Sequence, residues 1–356
     1  MPHPITSSLT INKGNQFFIA ICKYVNLRHS FVVAGVQAKG EHILLCAFGK
    51  YFDIEKIAEN TPEHLRQQGK LDIGFFDILA FVFNQKSLES NLINEPFLYI
   101  ENDAQNAEQP QNISYKALDI SYQEYLQFLY KLKEITRHAP DMQLEALIPD
   151  KSIEKGDEVT LRWRPLSALQ STTRMNTTNL NINSYYKLKM CNTCRHSAIS
   201  LVTEARGTGP GVSPYYFKEL PLETTIYAGK MGSSDKPLLI LPTLPPSDSE
   251  LSTNKRSILE RLYQRLERII LIENQHPLTY RKFMQFYKLY QHLSATKAST
   301  LDSFYRTLQQ FYIQNKELLE THRKPGFFNS MKVTGSVLLF QEFEQEAKAV
   351  LSKQTI

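Results

Sequence analysis

The sequence predicts an α+β chain: an antiparallel sheet with a cysteine-bearing helix, followed by an all-α C-terminal domain. Three observations predict it. Short β-branched and aromatic runs crowd the first 50 residues, a Pro/Ser stretch "LPTLPPSDSE" (Leu241–Glu250) breaks the chain, and beyond it apolar residues recur at helical spacing. The expected organisation is an α+β domain over 1–240 with an insert at roughly 51–180, a linker over 241–250, and a helical hairpin or bundle over 251–356.

Taken in order, "FFIAICKYV" (Phe17–Val25), "HSFVVAGVQ" (His29–Gln37) and "HILLCAF" (His42–Phe48) are strands, and "AKGE" between the last two is a hairpin turn. Residues 61–93 are mixed, with "FFDILAFVF" either a buried strand or a helix, and "ENDAQNAEQPQN" (Glu101–Asn112) is a polar loop. Ser121 and Glu124 fit a capping box, after which Tyr122, Tyr125, Leu126, Leu129, Leu132 and Ile135 mark a helical face. Residues 140–183 are expected to be irregular. "SAISLVTEA" is a helix, with Asn192 or Thr193 as its N-cap and Gly207 as its C-terminal cap. "PYYFKELPLETTIYAGK", broken by Pro214 and Pro221, is loop and short strand. In the last third, Ile258, Leu259, Leu262, Leu266, Ile269 and Ile270 form one amphipathic face; Phe283, Phe286, Tyr287 and Tyr290 form a second; Leu301, Phe304, Leu308, Phe311 and Tyr312 form a third. Pro277 and Pro325-Gly326 separate them.

Composition narrows the function. At 42% hydrophobic and 22% charged residues a packed core is feasible. No run approaches the ~18 apolar residues that cross a bilayer, and the N-terminus lacks the basic flank and apolar run of a signal peptide. Four cysteines in 356 residues do not make a disulfide framework, which favours a reducing compartment. From Leu251 onward 16 Lys/Arg stand against 9 Asp/Glu, whereas the first 250 residues hold 25 against 27. A basic helical region of this kind suits an acidic protein or an anionic membrane, and without a dense Lys/Arg block no nucleic acid is expected. "RGTGPG" (Arg206–Gly211) lacks the Gly-Lys-Ser/Thr ending of a phosphate loop, and neither H-E-x-x-H nor G-x-S-x-G occurs. No cofactor is expected.

The chemistry concentrates in "KLKMCNTCRHSAISLVTEARG" (Lys187–Gly207). A zinc site would use Cys191, Cys194 and His196 but lacks a fourth ligand nearby. A redox pair expects its first cysteine, not its second, at the helix start. The third reading makes Cys194 a nucleophile in the first turn, where the helix dipole and unpaired amides favour the thiolate. Its backbone amide would serve as one oxyanion donor and the Asn192 side chain as another. His29 opens a strand, and a hairpin places Glu41 and His42 early in the next strand. His29 is then the base, with Glu41 or His42 the group that orients it.

The order of strand-His, strand-polar and distant helix-leading Cys resembles the circularly permuted NlpC/P60 papain-like hydrolases, which include the lecithin:retinol acyltransferase-like proteins. The resemblance implies a papain-like fold with Cys194 as nucleophile, His29 as base and Glu41 or His42 as orienter, although some 165 residues between His and Cys exceed that family's compact pattern. "SYYKLKMCNTCRHSAISLVTEARG", "FKELPLETTIYAGK" and the tail "FQEFEQEAKAVLSKQTI" also resemble Legionella effectors delivered by the Dot/Icm secretion system. That likeness implies a bacterial protein translocated into a host cell as a virulence factor, with Glu342, Glu344 and Glu346 in the acidic block of its translocation signal. The implied activity is a thiol-dependent hydrolase or acyl/amide transferase: a protease, deamidase, transamidase or deacylase. A non-enzymatic effector binding through Arg261, Arg265 and Arg268, and a C-x-x-C metal or redox module, are the alternatives.

Overall fold

The computed structural model describes residues 3–4, 8–25, 29–52, 88–95, 99–100, 110–137, 143–150, 156–170, 185, 187–188, 192–215, 218–227, 237–244, 251–271, 276–296, 299–322 and 333–354. "FFDILAFVF", residues 245–250 of the linker, Pro325-Gly326 and Cys191 lie outside them. The chain divides into two compact units, Met1–Leu238 and Leu239–Ile356. The first is mixed α+β with antiparallel sheets, and the described elements of the second are mainly helices.

The strands of the first unit are β1 (His3–Pro4), β2 (Ser8–Asn12), β3 (Gln16–Tyr24), β4 (Ser30–Ala38), β5 (Glu41–Phe52), β6 (Leu88–Asn94), β7 (Tyr99–Ile100), β8 (Pro110–Ile120), β9 (Glu145–Pro149), β10 (Glu158–Pro165), β11 (Lys187–Leu188) and β12 (Leu222–Tyr227). The main sheet runs β11-β6-β5-β4-β3-β8-β12, a smaller one runs β2-β10-β9, and β1 pairs with β7. Every one of these pairings among the described residues is antiparallel. The continuous apolar runs of β3 and β4 are explained by burial: from Phe17 to Tyr24 and from Ser30 to Val36 every residue is buried. Lys39 (φ 52°) and Gly40 (φ 81°) form the two-residue turn between β4 and β5, both in the left-handed region that this tight turn requires.

Two helices pack on the main sheet, α1 (Tyr122–Arg137) and α2 (Cys194–Arg206). The α1 start is the expected capping box: Ser121 N donates to Glu124 Oε2 at 2.6 Å and Glu124 N to Ser121 Oγ at 3.1 Å. Its buried face uses Phe128, while Leu126 is only half-buried. Tyr122 and Tyr125 lie on Phe17 of β3, and Phe128 lies on Phe48 of β5. α2 packs beside α1, over β3, β4 and β5. Residues 140–183 are not irregular throughout, because β9 and β10 fall within them. In "EVTLRWRP" the buried Val159 and Leu161 alternate with exposed or half-buried neighbours, a period of two that is short enough to pass for loop.

In the second unit, α3 (Thr253–Leu271), α4 (Pro277–Ala295), α5 (Leu301–Glu320) and α6 (Gly335–Gln354) bury the apolar stripes against one another. Phe286, Phe311, Tyr312 and Phe340 form an aromatic cluster. Lys282, 3% exposed, donates to the carbonyls of Leu319 and Thr321 at 3.1 and 2.6 Å, satisfying the end of α5 with a cation where the helix dipole favours one. No helix among the described residues is long and apolar enough to cross a membrane.

Tyr125 ties α1 to the smaller sheet through its hydroxyl, which donates to the Leu147 carbonyl at 2.8 Å in the interior. Tyr125→Phe strands that buried carbonyl. It is expected to cost about 1–3 kcal/mol, seen as a lower urea midpoint with an unchanged m-value.

Candidate active site

Cys194 is the first residue of α2. Thr193 caps the helix in extended conformation (φ −81°, ψ 178°), and His196 takes the third-residue role of a capping box, its Nδ1 accepting from Thr193 N at 3.3 Å. Gly207 ends the helix at φ 71°. The helix start thus leaves the sulfur among backbone donors: Ser30 N lies 3.4 Å from Sγ, and the Arg195 amide also hydrogen-bonds it. Arg195 points inward, 1% exposed, and its Nη2 donates to the Lys218 carbonyl at 2.9 Å.

His29 stands immediately before β4, and its ring hydrogen-bonds Cys194. Nε2 lies 3.1 Å from Oε1 of Glu95, just past the end of β6. Glu95 is fully buried. Its Oε2 accepts from the hydroxyls of Tyr24 and Tyr51, both at 2.8 Å. The imidazole is walled by the rings of Tyr24, Phe31 and Tyr51, the last with its centroid 4.2 Å away. Gly49 is required here, because a Cβ at that position would strike Glu95 Oε1, His29 Nε2 and the Tyr51 ring.

The electrostatics follow from this chain of contacts. Burial alone would lower the His29 pKa, but hydrogen bonds and charge from Cys194 and Glu95 outweigh it and carry it up to about 9. Burial alone would raise the Cys194 thiol, but the His29 hydrogen bond and charge, with the Ser30 and Arg195 amides, hold it below its ordinary value. Burial and the Glu95 carboxylate push both tyrosines well above the usual phenol range, so both remain donors. The arrangement sets a thiol against an imidazole that is held in turn by a buried carboxylate.

The sheet register corrects one expectation. Glu41 and His42 do not orient His29. In the β4–β5 hairpin Ala38 pairs with Glu41 and Gln37 with His42, next to the turn, whereas Phe31 pairs with Gly49 at the open end. A residue preceding β4 therefore meets the end of β5, not its beginning. His42 is instead a buried ring edge-on to Phe18, its pKa lowered by burial, and Glu41 is exposed. Glu95 was missed because it follows His29 by 66 residues and sits in an unremarkable "LINEPF". Only the β5–β6 pairing delivers it. Asn192 lies two residues before Cys194 with its carbonyl accepting from Lys50 Nζ at 3.2 Å. Of the zinc set, His196 turns Nδ1 to Thr193 and Cys194 faces His29, and no group of three potential ligands gathers among the described residues.

In the helical unit, a cavity of about 340 Å³ is lined by Arg261, Gln264, Arg265, Arg268, Gly335 and Glu342, among others. Arg261 is committed there, bonding Glu342 Oε2 at 2.6 Å and Glu346 Oε1 at 2.5 Å, so reversing its charge would break internal pairs.

The chain matches no protein-family model, no curated protein and no solved structure.

Replacing Glu95 with Gln removes the charge that supports the imidazolium. The upper inflection in the pH profile of Cys194 alkylation, set by His29 at about 9, is expected to move to lower pH. Mass-spectrometric rates of carboxamidomethylation measure it.

Proposed function

We propose that the first unit is a thiol-dependent hydrolase or acyl/amide transferase built on a papain-like, permuted NlpC/P60-type arrangement. Cys194 is its nucleophile, His29 its acid–base and Glu95, in place of Glu41 or His42, its orienting group. One observation carries the reading: a thiol at a helix start, hydrogen-bonded to an imidazole that is in turn held by a buried carboxylate. The thiolate attacks an acyl carbonyl and forms the C–S bond. The C–N or C–O bond breaks as His29 gives its proton to the leaving group, which yields a thioester. Water or an amine, deprotonated by His29, then displaces the thiolate and restores the pair. The Cys194 amide, lacking an i−4 carbonyl in the first turn, serves the developing oxyanion.

The effector likeness extends the proposal to delivery into a host cell, where a host protein or an acyl or amide group is the substrate. Its acidic tail lies within α6, where Glu342 and Glu346 hold Arg261 and Glu344 pairs with Lys348 at 2.8 Å. A translocation reporter fused to the chain, with and without its last 20 or so residues, tests delivery; equal entry without the tail argues against a C-terminal signal.

Wild-type protein is expected to react with an acyl-mimicking electrophile at Cys194 alone, and Cys194→Ala to abolish labelling. His29→Ala should slow labelling about 10²–10⁴-fold, the range of acid–base contributions. Equal labelling of Cys194 and a denatured control would sink the reading. A second reading, docking of the helical unit on an anionic membrane, rests on the arginine-lined cavity. Arg268→Gln should then weaken binding to phosphatidylserine vesicles by about 1 kcal/mol, measured by flotation at fixed salt.

A further inference from the structure

Three donors hold the head of Glu95, but none of them holds its backbone. The residue stands just past the end of β6, and that end has a described strand neighbour on one side only. β5 pairs with β6 from Ser90 to Asn94, and the Glu95 amide adds one more bond, donating to the Ala47 carbonyl at 3.1 Å. Toward β11, among the described residues, β6 is paired at its far end alone, at Leu88 and Glu89. A strand end with one neighbour frays at little cost.

Asn94 ties this end down. Its side-chain amide makes two bonds to one residue of the smaller sheet: Nδ2 donates to the Glu145 carbonyl at 2.8 Å, and Oδ1 accepts from the Glu145 amide at 2.9 Å. A primary amide carries a donor and an acceptor like those of a peptide group, so this pair reproduces one backbone pairing between the two sheets. β9 is itself well anchored. It pairs with β10 from Glu145 to Pro149, and its Leu147 carbonyl accepts from the Tyr125 hydroxyl of α1. Strand parity then separates the two neighbours on β6. Asn94 pairs with Phe48 on the face that meets α1, whereas Glu95 is on the opposite face, against His29 and the space over Gly49.

We infer that Asn94 is a positioning residue for the proposed thiol enzyme: its amide clip on Glu145 fixes the end of β6 so that Glu95 Oε1 meets the His29 ring. The margin is small. Oε1 lies 3.1 Å from Nε2, and a shift of about half an ångström carries it out of hydrogen-bond reach. Among the described residues the Asn94 side chain bonds Glu145 and neither the thiol nor the imidazole, so its influence on His29 passes through Glu95. Leu, close to Asn in shape, removes both the donor and the acceptor of the clip without adding charge.

The inference rests on the thiol-enzyme reading, and a double-mutant cycle separates the two. Rates of Cys194 carboxamidomethylation are followed against pH in the full chain, as wild type, Asn94→Leu, Glu95→Gln and the double variant, with circular dichroism as the check on folding. Glu95→Gln is expected to lower the upper inflection, set by His29 at about 9, by about one pH unit, the lower end of the effect of a nearby opposite charge. Asn94→Leu should lower it in the same direction by about half a unit to one unit. The double variant should match Glu95→Gln alone, because a residue that acts through the Glu95 charge has nothing left to position. If Asn94→Leu does not fold, Asn94→Ala, which lets water reach the same Glu145 groups, takes its place in the cycle. An inflection that moves with Glu95→Gln and stays fixed when Asn94 is replaced overturns the role of Asn94 alone, as do shifts that add in the double variant. A wild-type profile without an upper inflection that Glu95→Gln can move overturns the thiol-enzyme reading and the Asn94 role together.

Discussion

The buried carboxylate of Glu95 is the interaction on which the rest of the site depends. Removing a charged carboxylate from water costs several kcal/mol even after the protein relaxes around it. Here the cost is offset by three donors at once, the Tyr24 and Tyr51 hydroxyls and the His29 ring. Hydrogen bonds to an ionised acceptor are about twice as strong as neutral ones. The same contacts fix the imidazole in its plane and direct it toward the thiol. The absence of a side chain at Gly49 is part of the arrangement, since even one methyl would occupy the space where carboxylate and imidazole meet.

The sheet brings these groups together through a single irregularity. Between Ala34 and Gly35 the β4–β5 register shifts, because Cys46 faces Ala34 while Leu44 faces Gly35, leaving Leu45 as an extra residue. A bulge of one residue exchanges the two faces of everything beyond it. Past this bulge Cys46 and Phe48 meet α1, and Gly49 and Tyr51 meet the His29–Glu95 pair on the other side. Without the bulge, Tyr51 would turn to the opposite face, and the second tyrosine on Glu95 would be lost.

The helical unit uses its charge differently. Much of the basic excess that distinguishes the last third of the sequence is spent internally: Arg261 bridges two glutamates of α6 and lies over the Phe343 ring, and Lys282 caps α5. Arg265 and Arg268 also line the cavity, Arg265 donating to Ser336 Oγ through Nε and Nη2. Net charge alone therefore overstates the surface available to an anionic partner.

The sequence by itself determined the local elements and one half of the site. The β3–β5 strands, the turn at Lys39–Gly40, the Ser121 capping box, the apolar stripes of α3 to α5 and the place of Cys194 in the first turn of a helix all follow from periodicity, capping and turn chemistry, which act over a few residues. His29 was legible as a histidine opening a strand and as the expected partner of the thiol, and its ring does hydrogen-bond Cys194. Tertiary structure alone decided which carboxylate meets His29. Glu41 and His42 are nearer to His29 in sequence, but antiparallel pairing carries them to the opposite end of the hairpin, while Glu95 arrives through β6 from 66 residues away. The role of Gly49 was hidden for the same reason. Which face a strand residue serves depends on register, and register is set by pairing across the sheet and by a one-residue bulge, neither of which leaves a local signature.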